Sequence, residues 1–241
     1  GAMHGPKGEI TREVFWNILS PGSYTEQIIL YILALTAFAL LGRALYKGGV
    51  WTRVKVMLKA TGSESNRLDD IGGRLWFAIV DVFSHRKILR EPYQGLFHLF
   101  IFYGFIALTI TTAIVFFQAD ILFPITGIWF MKGNFYLIMK LFANVFGMLA
   151  ILGILMALYR RYFIKPKWLD SKPEDNITLW FILAILITGF FIEGLRMQAV
   201  ELNPTSIMFK YVWFSPGGRL VAYLFSHANE HSIRGLHYLL W

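Results

Sequence analysis

Of the 241 residues, 56% are hydrophobic and 17% aromatic, a balance that a soluble domain of this size rarely carries and a bundle of membrane helices does. The formal charge of +8 is gathered in particular loops, which speaks for membrane topology and against a nucleic-acid partner. There is no cysteine, which excludes disulfides, thiolate zinc sites and iron–sulfur clusters held by this chain's own residues.

Residues 1–24 read as an extramembrane segment. Gly1-Ala-Met-His4 looks like an expression-tag remnant, no cleavable signal peptide is evident, and Phe15-Trp16 is an expected interfacial anchor. The remainder, 25–241, reads as one membrane domain. Its first spanning helix is expected at about Thr25–Tyr46, where Ile28–Leu41 is apolar except for Thr36 and Arg43 can snorkel to the headgroups. Residues 47–94 carry nine Lys/Arg against five acids. Within them Ile71, Leu75, Ile79 and Phe83 recur at helical spacing between Asp69, Asp70, Arg74 and Asp81, which predicts an interfacial amphipathic helix at about 68–88.

The second spanning helix is expected at about Tyr93–Phe117, because Leu96–Phe117 holds 22 residues without a charge. A link, 118–134, follows with Pro124 and Gly127. The third helix is expected at about Asn134–Tyr159, ending in Arg160-Arg161, with Lys140 within snorkelling reach at its other end. The fourth, about Ile177–Leu195, ends in Glu193-Gly-Leu-Arg196. Pro204 and Ser215-Pro-Gly-Gly218 break any span over 197–234. Ile233–Trp241 then opens a fifth helix, about 13 Å of it at 1.5 Å per residue, which is expected to continue beyond the sequence in hand.

The Lys/Arg bias sets the orientation. Segments 47–94 and 160–176 hold fourteen; segments 1–25, 118–134 and 196–234 hold seven. This predicts a multi-pass protein of a prokaryotic inner membrane, with its N-terminus outside and the two basic loops in the cytoplasm.

Six residues are candidates for chemistry. His98 lies a turn inside the second helix, where an ionisable side chain calls for a functional explanation. A haem-iron ligand, a proton relay and a polar tie between helices are the readings open to it. The haem reading draws on Gly95 and Gly104, which would spare a porphyrin steric hindrance, and on Arg86, Lys87 and Arg90, which would meet its propionates. His85, 13 residues earlier, reads as a surface or propionate-contacting group and a weaker ligand candidate. His237, near the outer end of the fifth helix, is too far from His98 to share its iron. His227 and His231, spaced i, i+4 around Glu230, read as solvated. Glu193 has two readings, an ion pair with Arg196 or a quinone-site proton exchanger. Trp129, Tyr211, Trp213 and Phe214 read as an interfacial belt.

Ile10-Thr-Arg-Glu-Val-Phe-Trp-Asn17, Leu89-Arg-Glu-Pro-Tyr-Gln-Gly-Leu-Phe-His-Leu-Phe-Ile-Phe-Tyr-Gly-Phe105, Gly133-Asn-Phe-Tyr136, Leu155-Met-Ala-Leu-Tyr-Arg-Arg161, Thr188-Gly-Phe-Phe-Ile-Glu-Gly-Leu-Arg196 and Leu236-His-Tyr-Leu-Leu-Trp241 follow one another in this order. Together they resemble the membrane cytochrome b subunits of respiratory nitrate reductase (the gamma subunit) and of heterodisulfide reductase. The resemblance covers nearly the whole chain. In similar proteins the membrane domain is fused to a cytoplasmic iron–sulfur domain, and some pass electrons between an electron-transfer flavoprotein and menaquinone.

The resemblance implies a five-helix bundle with one or two b-type haems and carries the ligand role onto His98 and His237. It also implies menaquinone as substrate and a cytoplasmic iron–sulfur domain or subunit as partner. The pattern differs at the histidines of helices two and five. The gamma subunit has two histidines on helix two, and only His98 lies there in this chain; of the two expected on helix five, His237 is the first. A reading of another class is a haem-free membrane anchor or small transporter with His98 as a proton relay. Against a transporter, there is no inverted repeat.

Overall fold

A computed structural model describes residues 9–12, 25–59, 70–85, 88–166 and 173–240 of the chain. Among them the regular structure is helical, apart from a single antiparallel bridge between Thr11 and Lys132, so the expected all-α membrane bundle is borne out. The expectations for Gly1–His4, Phe15-Trp16 and Arg86 concern residues outside those described. Residues 25–85 form one unit; residues 9–12 with 88–240 form another.

In the first unit, α1 (Thr25–Lys47) contains a run, Ile28–Lys47, long and apolar enough to cross a bilayer. A Gly48-Gly49 turn, with Gly49 at φ +74°, leads into α2 (Val50–Lys59). The amphipathic helix expected at about 68–88 is α3 (Ile71–Ser84), shorter than its predicted span because both ends are fixed. Asp70 accepts from the Gly73 amide at 3.0 Å, and His85 closes the helix in the left-handed region at φ 52°.

The second unit is built on α4 (Pro92–Phe116) and α6 (Gly133–Tyr159), packed along their length. α4 starts where Pro92 stands at the first helical position, where its missing N–H costs nothing. The helical path does not stop at Phe117 as expected. A π-helical turn (Phe117–Leu122) and the short α5 (Phe123–Thr126) prolong it to Thr126, where Gly127 ends it at φ +70°. The π turn is held by Gln118, fully buried, whose amide donates to the Ile128 carbonyl and accepts from the Phe130 amide (2.9 and 2.8 Å).

Without a hydrophobic force between helices in lipid, close approach of backbones decides packing. A Cβ on Gly104 would lie 2.6 Å from Cβ of Ala150, and one on Gly153 would lie 2.8 Å from the Phe97 carbonyl oxygen. A Cβ on Gly95 would meet Leu89 Cα at 2.7 Å. Gly95 and Gly104 therefore serve contacts within the bundle, which corrects their reading as space left for a porphyrin.

α7 (Pro173–Arg196) continues into a π turn (Met197–Glu201) and packs on α6. A 3-10 segment (Ile207–Phe214) leads to α8 (Pro216–Leu224), and both α8 and α9 (Glu230–Leu240) lie against α7. The runs Pro92–Thr126, Gly133–Ile164 and Pro173–Glu201 are each long and apolar enough to cross a membrane; with α1 that makes four, and the protein is a multi-pass membrane protein.

One end of this unit is stapled. Trp129 Nε1 donates to Thr11 Oγ1 (2.7 Å), Thr11 Oγ1 donates to the Met131 carbonyl (2.8 Å), and the Gly133 amide donates to that of Ile10 (2.7 Å). Lys132 and Glu9 pair at 3.0 Å. Trp129 is thus a core residue, 8% exposed, rather than part of an interfacial belt. Trp213 does stand 70% exposed, with the Arg219 guanidinium 3.3 Å from its ring centre.

Candidate functional site

Two places in the second unit hold the candidate residues. The first is one face of α4. Helical spacing brings His98, Ile101, Phe102, Phe105, Ile106, Thr109 and Ile110 into a single stripe, which lines a groove of about 450 Å³. That volume falls in the range of small-molecule and cofactor sites, roughly 300–1,000 Å³. His98 is exposed at the head of the groove, its ring nearly parallel to that of Phe102 (15°, centroids 6.3 Å apart). Arg90 is exposed on the 3-10 turn Ile88–Arg90 that precedes the helix.

His85 belongs to the other unit and is buried (3% exposed), with Nδ1 3.3 Å from the Phe83 carbonyl oxygen. This burial corrects its reading as a surface group. His227 and His231 are exposed, and Glu230 pairs with Arg234 at 2.6 Å. No group of three or more metal-ligating side chains gathers among the described residues.

The second place lies where α6, the end of α7, and α8 meet. Glu201, fully buried on the π turn after α7, receives Lys140 Nζ on Oε2 and Arg196 Nη1 on Oε1 (the latter at 2.6 Å). This overturns two expectations. Lys140 does not snorkel; it is 5% exposed and turns inward because a buried anion faces it. Arg196 does not pair with Glu193; the π turn brings Glu201 round to it instead.

Glu193 is held by other groups. Asn144 Nδ2 stands 3.0 Å from each of its carboxylate oxygens, and Ser215 Oγ donates to Oε1 at 2.5 Å. Asn144 Oδ1 accepts from the amides of Gly217 and Gly218 at 3.1 and 3.3 Å, at the first turn of α8. A Cβ on Gly218 would lie 2.9 Å from Cδ of Glu193, so the Gly-Gly pair is what lets α8 dock here. Arg12, carried by the stapled segment, is within electrostatic reach of Glu193, Arg196 and Glu201. His237 is buried on α9 and within reach of Arg196 and Arg12. Among the described residues α9 makes no packing contact with α4.

Sequence reasoning missed Asn144, Ser215, Glu201 and Arg12. Glu201 carried a legible signal, a carboxylate two helical turns beyond Glu193. Asn144 and Ser215 carried none, since both are neutral and common.

Comparison with known proteins gives relatives but no family model and no solved structure that match. The chain is 35% identical over 196 residues to EtfAB:quinone oxidoreductase of Syntrophomonas wolfei, covering 80% of this chain and 27% of that protein. It is 27% identical over 168 residues to a subunit of the dihydromethanophenazine:CoB–CoM heterodisulfide reductase of Methanosarcina barkeri, covering 67% of this chain and 61% of that protein. A probable iron–sulfur-binding oxidoreductase of Bacillus subtilis is 26% identical over 168 residues, covering 70% and 22%. The chain thus spans about a quarter of the first relative and three-fifths of the second.

Proposed function

We propose that this chain, a relative of EtfAB:quinone oxidoreductase and of a heterodisulfide reductase subunit, is a b-type cytochrome that moves electrons between a membrane quinone and a cytoplasmic iron–sulfur or flavoprotein partner. Kinship with these oxidoreductases bears out the resemblance read from the sequence, to a membrane subunit of an iron–sulfur oxidoreductase linked to electron-transfer flavoprotein. The observation that carries the reading is His98 at the head of an apolar groove on a membrane-crossing helix.

The residues present fit haem. An imidazole at the edge of a hydrocarbon-lined groove offers iron a nitrogen ligand in a low dielectric. Haem b, when bound, supplies the one-electron couple. His98 would ligate it, with the Phe102 ring lying nearly parallel to the imidazole beside it. Ile101, Phe105 and Ile106 would exclude water. Arg90, and Arg86 outside the described residues, would meet propionates from the cytoplasmic side. His237 would bind or border a second, outer haem. Glu193 would exchange protons with the quinone, menaquinone in this reading.

The bridge between Thr11 and Lys132 supports an orientation with the N-terminus outside, because it puts the segments before α1 and before α6 at one end of the bundle. That end carries few lysines and arginines, as the outer face of a prokaryotic inner membrane requires.

The test is purification followed by reduction with a menaquinol analogue. A visible band of reduced haem b that appears on adding the quinol is expected. A haem-free preparation that still passes electrons from quinol to an acceptor would contradict the reading.

A further inference from the structure

Two carboxylates of the bundle stand eight residues apart, Glu193 and Glu201, and their surroundings differ in kind. Each oxygen of Glu201 meets a cation, Lys140 on one and Arg196 on the other, and the residue is fully buried. Protonating it would strip two buried cations of their counter-charge, so it is fixed as an anion. Glu193 is partly exposed and is held by neutral donors alone among the described residues.

We propose that Glu193 and Ser215 form a proton-exchange pair oriented by Asn144, with Glu201 as the fixed anion beside it. The inference rests on the reading of Glu193 as a proton exchanger and deepens it, by adding the two residues that make exchange possible and by excluding the second carboxylate.

The argument turns on which groups can reverse their hydrogen bond. Asn144 cannot. Its Oδ1 faces two backbone amides, which only donate, so its Nδ2 must face the carboxylate and can only donate to it. Ser215 can. Its hydroxyl donates to ionised Glu193 and, after rotation, accepts from the protonated acid. Asn144 Nδ2 lies 3.1 Å from Ser215 Oγ as well, so it supports the hydroxyl in either state. Glu193 therefore keeps its hydrogen bond to Ser215 in both protonation states, as suits a group that gains and loses a proton. On uptake an O–H bond forms at a Glu193 oxygen with a proton given up by the quinol; on release the same bond breaks and the proton passes to solvent water.

The charged and titratable groups within electrostatic reach of it are Lys140 and Tyr136 from α6, Arg196 from α7 and Arg12 from the stapled segment.

Infrared difference spectroscopy across a pH titration, on the full chain in lipid nanodiscs, tests this. The carbonyl stretch of the protonated Glu193 carboxyl, shifted in D2O, is expected in the parent protein and absent in Glu193→Gln. In Ser215→Ala that band is expected to move in frequency and in pH midpoint, and Ser215→Thr, which keeps the hydroxyl, should restore it. A band that survives in Glu193→Gln, or one that Ser215→Ala leaves in place at the same midpoint, overturns the proposal. Quinol turnover separates it from the reading it rests on. If Glu193→Gln loses the band and keeps full turnover, the exchange site stands and its link to quinone falls.

Discussion

Lys140 and Glu201 are 61 residues apart in the chain and form a side-chain ion pair inside the bundle, at 5% and 0% exposure. The pair ties the start of α6 to the π turn after α7, and Arg196 completes it from the other side of the carboxylate. Such a triad is a poor net stabiliser against apolar residues of the same shape, yet removing one member leaves uncompensated charge.

Glu201→Gln is therefore predicted to destabilise the bundle by about 3–5 kcal/mol, read as a large fall in the thermal unfolding midpoint in detergent. The double variant Lys140→Met/Glu201→Gln should recover part of that fall, since one of the two orphaned cations is then gone. Glu201→Gln melting with the parent protein would show that the carboxylate is not holding the cations.

Packing of α4 on α6 brings Gly104 directly against Ala150. A Cβ there would overlap Ala150, so Gly104→Leu should cost more than the ~1–3 kcal/mol typical of overpacking, because backbones must part. Size-exclusion chromatography should show an aggregated or broadened species. Gly189→Ala, where a Cβ would meet nothing within 4 Å, should elute like the parent.

Thr11→Val removes the acceptor of Trp129 Nε1 and the donor to the Met131 carbonyl, while the indole keeps its 3.0 Å bond to that carbonyl. A loss of about 1–3 kcal/mol is expected, since a buried carbonyl loses one donor. Limited proteolysis should then cut the segment before α1 faster. Equal cleavage of variant and parent would show that the staple is not what holds it.

Much of this architecture is legible in the sequence, because lipid leaves few choices. Uncharged runs such as Leu96–Phe117 must be helical to satisfy their backbone, and the period of Ile71, Leu75, Ile79 and Phe83 marks α3. What was not legible is which helices meet. Lys140 near a helix end reads as a snorkelling lysine until Glu201 is known to face it. Trp129 reads as a belt aromatic until Thr11, 118 residues away, turns out to accept from its indole. The π turns after α4 and α7 have no periodic signature, and the second of them changed the partner of Arg196. The glycines of α4 were visible, but their purpose was not, since a missing side chain fits a neighbouring helix as well as a cofactor.

The role of His98 as iron ligand is tested most directly by haem stoichiometry. The ratio of haem to protein should be measured for the purified parent, His98→Ala and His237→Ala. The account predicts bound haem b in the parent and loss of the cytoplasm-side haem in His98→Ala, with the variant still folded by its helical circular dichroism. Parent-level haem in His98→Ala, or a parent protein that folds and binds none, would contradict it.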